Sequence, residues 1–228
     1  MQAPIRAISS MATRQLLAEL AAAWERARGR AVRLEAVGGV DAARRVAGGE
    51  DFDAVVLAAE AIDRLAAGGS VLAGSRVDLV RSPVAIAVRA GAPRPDVSTL
   101  PALAAALGGT VRIGYSTGPS GTFLLQLFER LGLAPGDRLV QARPGVPVAS
   151  LVAGGECDIG VQQLPELLHA EGIAVLGTLP PGAEHLSTFA GAVCAASAHA
   201  DAVRDWLAFM NTPDAAAAKR RHGMEPAA

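Results

Sequence analysis

Short apolar runs alternate along this chain with segments whose apolar residues recur every three to four positions. Ile5-Arg-Ala-Ile8 reads as a strand. After it, Leu16, Leu17, Leu20, Ala23 and Trp24 share one helical face, and Gly29 stops the helix. Val32-Arg-Leu-Glu-Ala36 alternates as a strand does. Gly38-Gly39 then opens a second helix, with Asp41 near its positive end. Phe52-Asp-Ala-Val-Val-Leu-Ala58 is a nearly unbroken apolar run, the pattern of a buried parallel strand, and a helix over 61–67 follows.

A long strand pattern over 78–88 carries Pro83, which suits an edge, a bulge or a crossing point. A second series then begins after the loop 91–96. Strands are predicted at 111–115, 138–141, 159–163 and 174–177, with helices at 121–132, 147–153 and 164–169. A strand over 188–196 and helices over 200–211 and 213–222 close the chain.

Repeated strand-helix alternation calls for parallel sheets covered by helices. The expectation is an α/β fold of two lobes with a ligand cleft between them. Residues 1–83 plus 189–228 form lobe 1, residues 84–188 form lobe 2, and the chain crosses near Pro83 and Thr188. Ligands of parallel sheets bind beyond the carboxyl ends of the strands, at helix amino termini. The strand-to-helix corners are therefore the candidate site.

Composition narrows the function classes. Hydrophobic residues make up 51% of the chain but aromatics only 4%, so Ala, Val and Leu must fill the core. Lys and Arg number 21 against 22 Asp and Glu, which lacks the basic excess of a nucleic-acid binder. A small anion remains compatible, because backbone amides alone can hold one. Cys157 and Cys194 lie far apart without CxxC spacing and read as two free thiols, with one disulfide open only to an exported chain; the four histidines show no metal-ligand spacing. No metal and no cofactor are expected. No apolar run is long enough to cross a membrane. Met1-Gln-Ala-Pro-Ile-Arg runs directly into the first strand, so the expectation is a cytoplasmic protein, or a periplasmic one whose leader has been replaced.

Four corners supply the candidate ligand groups. Ser116-Thr-Gly-Pro-Ser-Gly-Thr122 follows a strand and opens a helix, with Pro119 suited to the first turn. Ser120, Gly121 and Thr122 would then offer free amides and two hydroxyls, although an ordinary capped helix has the same look. It lacks the Gly-Lys-Ser/Thr of a Walker A loop. The turn Arg143–Val146 precedes Pro147 in the same layout, which brings in Val146. Ser9, Ser10 and Thr13 form the third corner, and Gly38 with Gly39 the fourth. Gln162 and Gln163 end an apolar strand and can donate to an oxyanion from there, or lie on the surface. Arg44 is the candidate side-chain anchor, with its neighbour Arg45 the alternative, as a bidentate carboxylate partner or as part of a solvated helix face. Tyr115 precedes the 116–122 loop. No GxSxG elbow and no Ser/His/Asp pattern is present, so no catalytic residue is assigned.

The order of these features resembles the periplasmic molybdate-binding protein family of the type-II solute-binding fold. The resemblance covers essentially the whole chain. Ser9-Ser-Met-Ala-Thr and the helix to Trp24-Glu25 look like that family's first ligand loop and helix. Asp53-Ala-Val-Val-Leu-Ala-Ala, Ile113-Gly-Tyr-Ser-Thr-Gly-Pro-Ser-Gly-Thr-Phe, Gly155-Glu-Cys-Asp-Ile-Gly, Asn211-Thr-Pro-Asp-Ala and Gly223-Met-Glu-Pro226 resemble its later landmarks in order. The resemblance implies a solute-binding protein for a small anion, serving an ABC permease if exported. Gly38-Gly39 stands where the family has a serine pair, and Gln163 where it has a tyrosine. Those departures turn the expected ligand from molybdate toward an organic carboxylate. A branch resembling this family includes aconitate isomerase. The alternative expectation is therefore a cofactor-independent isomerase that shifts a double bond of an unsaturated polycarboxylate by proton transfer.

Overall fold

The computed structural model describes residues 2–227, which form two compact units, 2–81 with 188–227 (unit 1) and 82–187 (unit 2). In unit 1, β1 (Ile5–Ser10) pairs in parallel with β2 (Val32–Val37) on one side and β3 (Ala54–Ala58) on the other. Strand β9 (Leu186–Val193) returns antiparallel along β3, from Ala54↔Val193 to Ala58↔Phe189. Helices α1 (Arg14–Arg28), α2 (Gly39–Ala47) and α3 (Ala59–Ala67) follow the three parallel strands in turn. Leu16, Leu17, Leu20 and Trp24 of α1 pack with Trp206 and Leu207 of α8 (Ala200–Phe209) and with Ala215 and Ala218 of α9 (Pro213–Arg221). The opposite face buries Ile8, Val46, Val55, Leu57 and Ile62. The scarcity of aromatics is met by packing small residues closely on both faces.

Strand β4 (Val77–Arg89) runs unbroken through Pro83. Its first part pairs with β10 (Glu225–Pro226) through Val80 and Arg81, and its second with β7 (Ile159–Gln163) and β8 (Ile173–Thr178) from Val84 and Ala85 onward. Pro83 sits between the two sets of ladder partners, where the missing N–H removes no bond from either.

Unit 2 holds three adjacent parallel strands, β5 (Ile113–Tyr115) flanked by β6 (Leu139–Gln141) and β7. They are followed by α5 (Pro119–Leu131), α6 (Val148–Ala153) and α7 (Leu164–Leu168). Helix α4 (Leu100–Leu107) was not anticipated from the pattern, nor was β10. Gly114 and Gly160 are register partners in β5 and β7. A Cβ on either would lie 3.0 or 3.1 Å from Val148 Cγ1. Their missing side chains make the hollow in which α6 lies.

Both cysteines are buried free thiols. Burial raises the pKa of the Cys157 thiol, and it pushes that of Cys194 up to about 12, with the Asp53 charge adding to the effect.

Candidate anion-binding corners

In unit 1, β1 ends in two buried serines. Ser9 Oγ donates to the Ser10 carbonyl at 3.2 Å, and Thr13 Oγ1 donates to the same carbonyl at 3.3 Å. Ser10 Oγ is buried and makes no hydrogen bond among the described residues. Gly38 is the N-cap of α2 and supplies no side-chain cap. The first amides of that helix are therefore left without an internal acceptor. Gly39 lies against Ser10, since a Cβ on Gly39 would be 3.6 Å from Ser10 Cβ. A buried hydroxyl without a partner thus stands beside an uncapped helix amino end. Both conditions favour an oxyanion.

Both arginines of α2 have acidic partners on their own surface. Arg44 is exposed and pairs with Asp41 one turn back. Arg45 is bound by Glu50 and Glu35 and lies over the Phe52 ring at 5.2 Å. Hydrogen bonds that it donates to Glu50 and then Glu35 hold the Arg45 guanidinium above its ordinary pKa, and Arg45 in turn holds Glu50 below the usual carboxylate range. The expectation for Arg44 thus rests on a side chain that is exposed and shares its charge with one neighbour, Asp41.

In unit 2, α5 begins at Pro119, two residues earlier than expected, and places Ser120 in its first turn. Ser116 Oγ accepts from Gly118 N and lies 3.2 Å from the buried Ser120 Oγ. The amides of Gly121 and Thr122 both donate to Gly118 O, at 3.0 and 3.1 Å. The expected cradle of three free amides is thus reduced to that of Ser120. The side chain of Thr122 is exposed. Gly121 has a packing role as well: a Cβ there would fall 1.8 Å from Ser116 O. Val146 does not offer its amide either, because that group closes a turn onto Arg143 O at 2.9 Å.

The two glutamines at the end of β7 have separate roles. Gln162 Oε1 accepts from Val148 N at 3.0 Å, and its Nε2 donates to Glu166 at 2.6 Å. It caps α6 and is fully engaged. Gln163 Nε2 donates to Ser187 Oγ at 2.7 Å, while its buried Oε1 has no partner among the described residues. Ser187 donates as readily as it accepts, so a half-turn of the Gln163 amide exchanges its Oε1 and Nε2 without losing the bond to Ser187. Sequence reasoning missed Ser187 and also Ser82, whose fully buried Oγ is likewise without a partner. A serine inside an apolar strand was the only signal for Ser82.

A family model described as bacterial extracellular solute-binding protein matches residues 5–225. The chain belongs to this family. Aconitate isomerase from a Pseudomonas species is 38% identical over 187 residues, which cover 80% of this solute-binding protein and 70% of that relative. The sulfate-binding protein SubI from Mycobacterium tuberculosis shares the fold with a TM-score of 0.81 at 19% identity, over 99% of this chain and 88% of that one. The periplasmic molybdate-binding protein of Azotobacter vinelandii matches with a TM-score of 0.76 at 20% identity, over 96% and 98% of the two chains. The fold is that of the periplasmic solute-binding proteins. No helix among the described residues is long and apolar enough to cross a membrane.

Proposed function

We propose that this chain binds a small organic carboxylate on the free amides and hydroxyls of its strand-to-helix corners, and passes it to an ABC permease. The observation that carries this reading is the buried, unpartnered Ser10 Oγ beside the uncapped amino end of α2. An unpaired buried hydroxyl costs about 1–3 kcal/mol, a cost that a bound oxyanion removes. Gly38 and Gly39 bring no hydroxyl to that corner, which disfavours a tetrahedral oxyanion such as molybdate that needs many donors. A carboxylate needs fewer.

A second reading is supported by the 38% identical aconitate isomerase. In it, the same corners anchor an unsaturated polycarboxylate while a proton leaves one carbon beside the double bond and returns at another. The residue that moves the proton is not assigned.

One experiment separates the readings. Thermal shifts are measured with molybdate, tungstate, sulfate, citrate and cis- and trans-aconitate, where a ligand at 100 times its Kd stabilises by about 2.7 kcal/mol. A shift with tungstate and none with carboxylates sinks the carboxylate proposal. Incubation of a bound carboxylate in D2O, followed by NMR, then decides turnover, since deuterium uptake or isomerisation is expected only of an enzyme. Ser10→Ala sharpens the assignment. It is expected to raise the melting temperature of the ligand-free protein and to weaken binding about tenfold. Unchanged affinity removes this corner from the site.

A further inference from the structure

Backbone amides and hydroxyls alone can hold one carboxylate, so a ligand with a second carboxylate calls for a cation at the same sheet edge. Strands β6, β5 and β7 lie side by side and parallel, and Tyr115 pairs with Gln141 on one side and Val161 on the other. Arg143 is two residues beyond Gln141, and Gln163 is two residues beyond Val161. Both therefore stand at the carboxyl edge of the same three strands, with the Ser116–Ser120 corner between them. Ala142 N donates to Tyr115 O at 2.8 Å, which extends the ladder to the residue before Arg143 and fixes its place.

Across the segments 116–118, 142–147 and 164–168 that leave these strands, Arg143 is the one cationic residue. Its side chain is exposed and makes no hydrogen bond or ion pair among the described residues. Glu166, the one acidic residue in those segments, is engaged by Gln162. An unpaired guanidinium thus shares one sheet edge with the buried, half-satisfied amide of Gln163. Two strand spacings separate them, about 10 Å.

We infer that Arg143 is the specificity-determining anchor for a second carboxylate, which makes the ligand a di- or tricarboxylate rather than a monocarboxylate. The inference rests on the carboxylate reading above. Its chemistry is that of a planar guanidinium taking a carboxylate through two parallel hydrogen bonds. The first carboxylate rests on the Ser120 amide at the Ser116–Ser120 corner of the same unit and needs no side-chain cation.

The test is calorimetric titration of the wild type, Arg143→Ala and Arg143→Lys with trans-aconitate, fumarate, crotonate and sulfate. Arg143→Ala is expected to weaken trans-aconitate and fumarate by roughly ten- to a hundredfold and to leave crotonate within about twofold. Arg143→Lys is expected to recover part of the loss, since it restores the charge without the fork. Equal affinities of wild type and Arg143→Ala for trans-aconitate overturn this inference and leave the carboxylate reading standing. An equal loss for crotonate and trans-aconitate also overturns it. A wild type that binds sulfate and no carboxylate overturns both. Melting temperatures without ligand should agree among the three proteins, as expected for an exposed side chain.

Discussion

Gly114 and Gly160 face each other across neighbouring strands, and Gly160 has no room for a methyl group. At Gly160 an added Cβ would lie 2.7 Å from Val152 Cγ2 and 3.1 Å from Val148 Cγ1. Valine in a helix has one strongly preferred rotamer and cannot swing away. Gly160→Ala is therefore expected to lift α6 off the sheet and cost about 1–3 kcal/mol. Denaturant titration checks the stability. Faster amide exchange at Val148 checks that the helix has moved.

The cap on α6 is open to a direct test. Replacing Gln162 by Leu keeps the apolar contacts but leaves the buried Val148 N without its acceptor. A loss of about 1–3 kcal/mol is expected on urea unfolding. A change under about 0.5 kcal/mol contradicts the capping role.

Gly39 is a different kind of glycine, because a Cβ there would make only ordinary contacts, 3.6 Å to Ser10 Cβ and 3.9 Å to Leu57 Cδ2. Gly39→Ser is expected to fold with stability within about 0.5 kcal/mol of wild type. The hydroxyl it adds beside Ser10 should raise affinity for tungstate relative to carboxylates. Competition between tungstate and trans-aconitate measures the ratio, and an unchanged ratio counts against Gly39 facing the ligand.

Lys219 gives a pH signature. It is 2% exposed, its Nζ donates to Asn211 Oδ1 at 2.7 Å, and burial pushes its pKa down to about 8 from an ordinary 10.5. Above pH 8 the folded chain gives up this proton while the unfolded chain still holds it. Stability should therefore rise as pH goes from about 8 toward 9, by at most about 1.4 kcal/mol per unit. Above pH 9 the raised pKa of Cys194 acts in the opposite direction, because the unfolded thiol ionises first. Lys219→Met should flatten the rise between pH 8 and 9 in urea titrations.

Much of the fold was legible because its strands and helices carry clean periods. The face Leu16, Leu17, Leu20 and Trp24 and the run 52–58 are examples. Helix α4 escaped because Leu-Pro-Ala-Leu-Ala-Ala-Ala-Leu has no polar face, although Thr99 accepts from Ala102 N as an ordinary cap. Strand β10 is two residues held by tertiary pairing to β4, and no pattern of that length carries information. Within the corners, residue types pointed to Ser10 and Gln163, but not to which of their groups already have partners. The Gly118 carbonyl takes up two amides, Gln162 serves a helix 14 residues back, and Asp41 pairs with Arg44. Each depends on backbone geometry or on a partner whose contact the sequence does not announce.

The discontinuity of unit 1 bears on how the chain is made. Ser82–Ser187 is continuous and can complete its sheet while the chain that follows it is still in the ribosome. Unit 1 has to wait, because β3 acquires its antiparallel neighbour only when Phe189 to Val193 emerge, some 130 residues after β3 itself. Until then the edge of β3 is an unpaired, wholly apolar template, the kind of surface on which nascent chains associate. During synthesis, β1 to β3 are expected to become protease-resistant later than Ser82–Ser187, although they are made earlier.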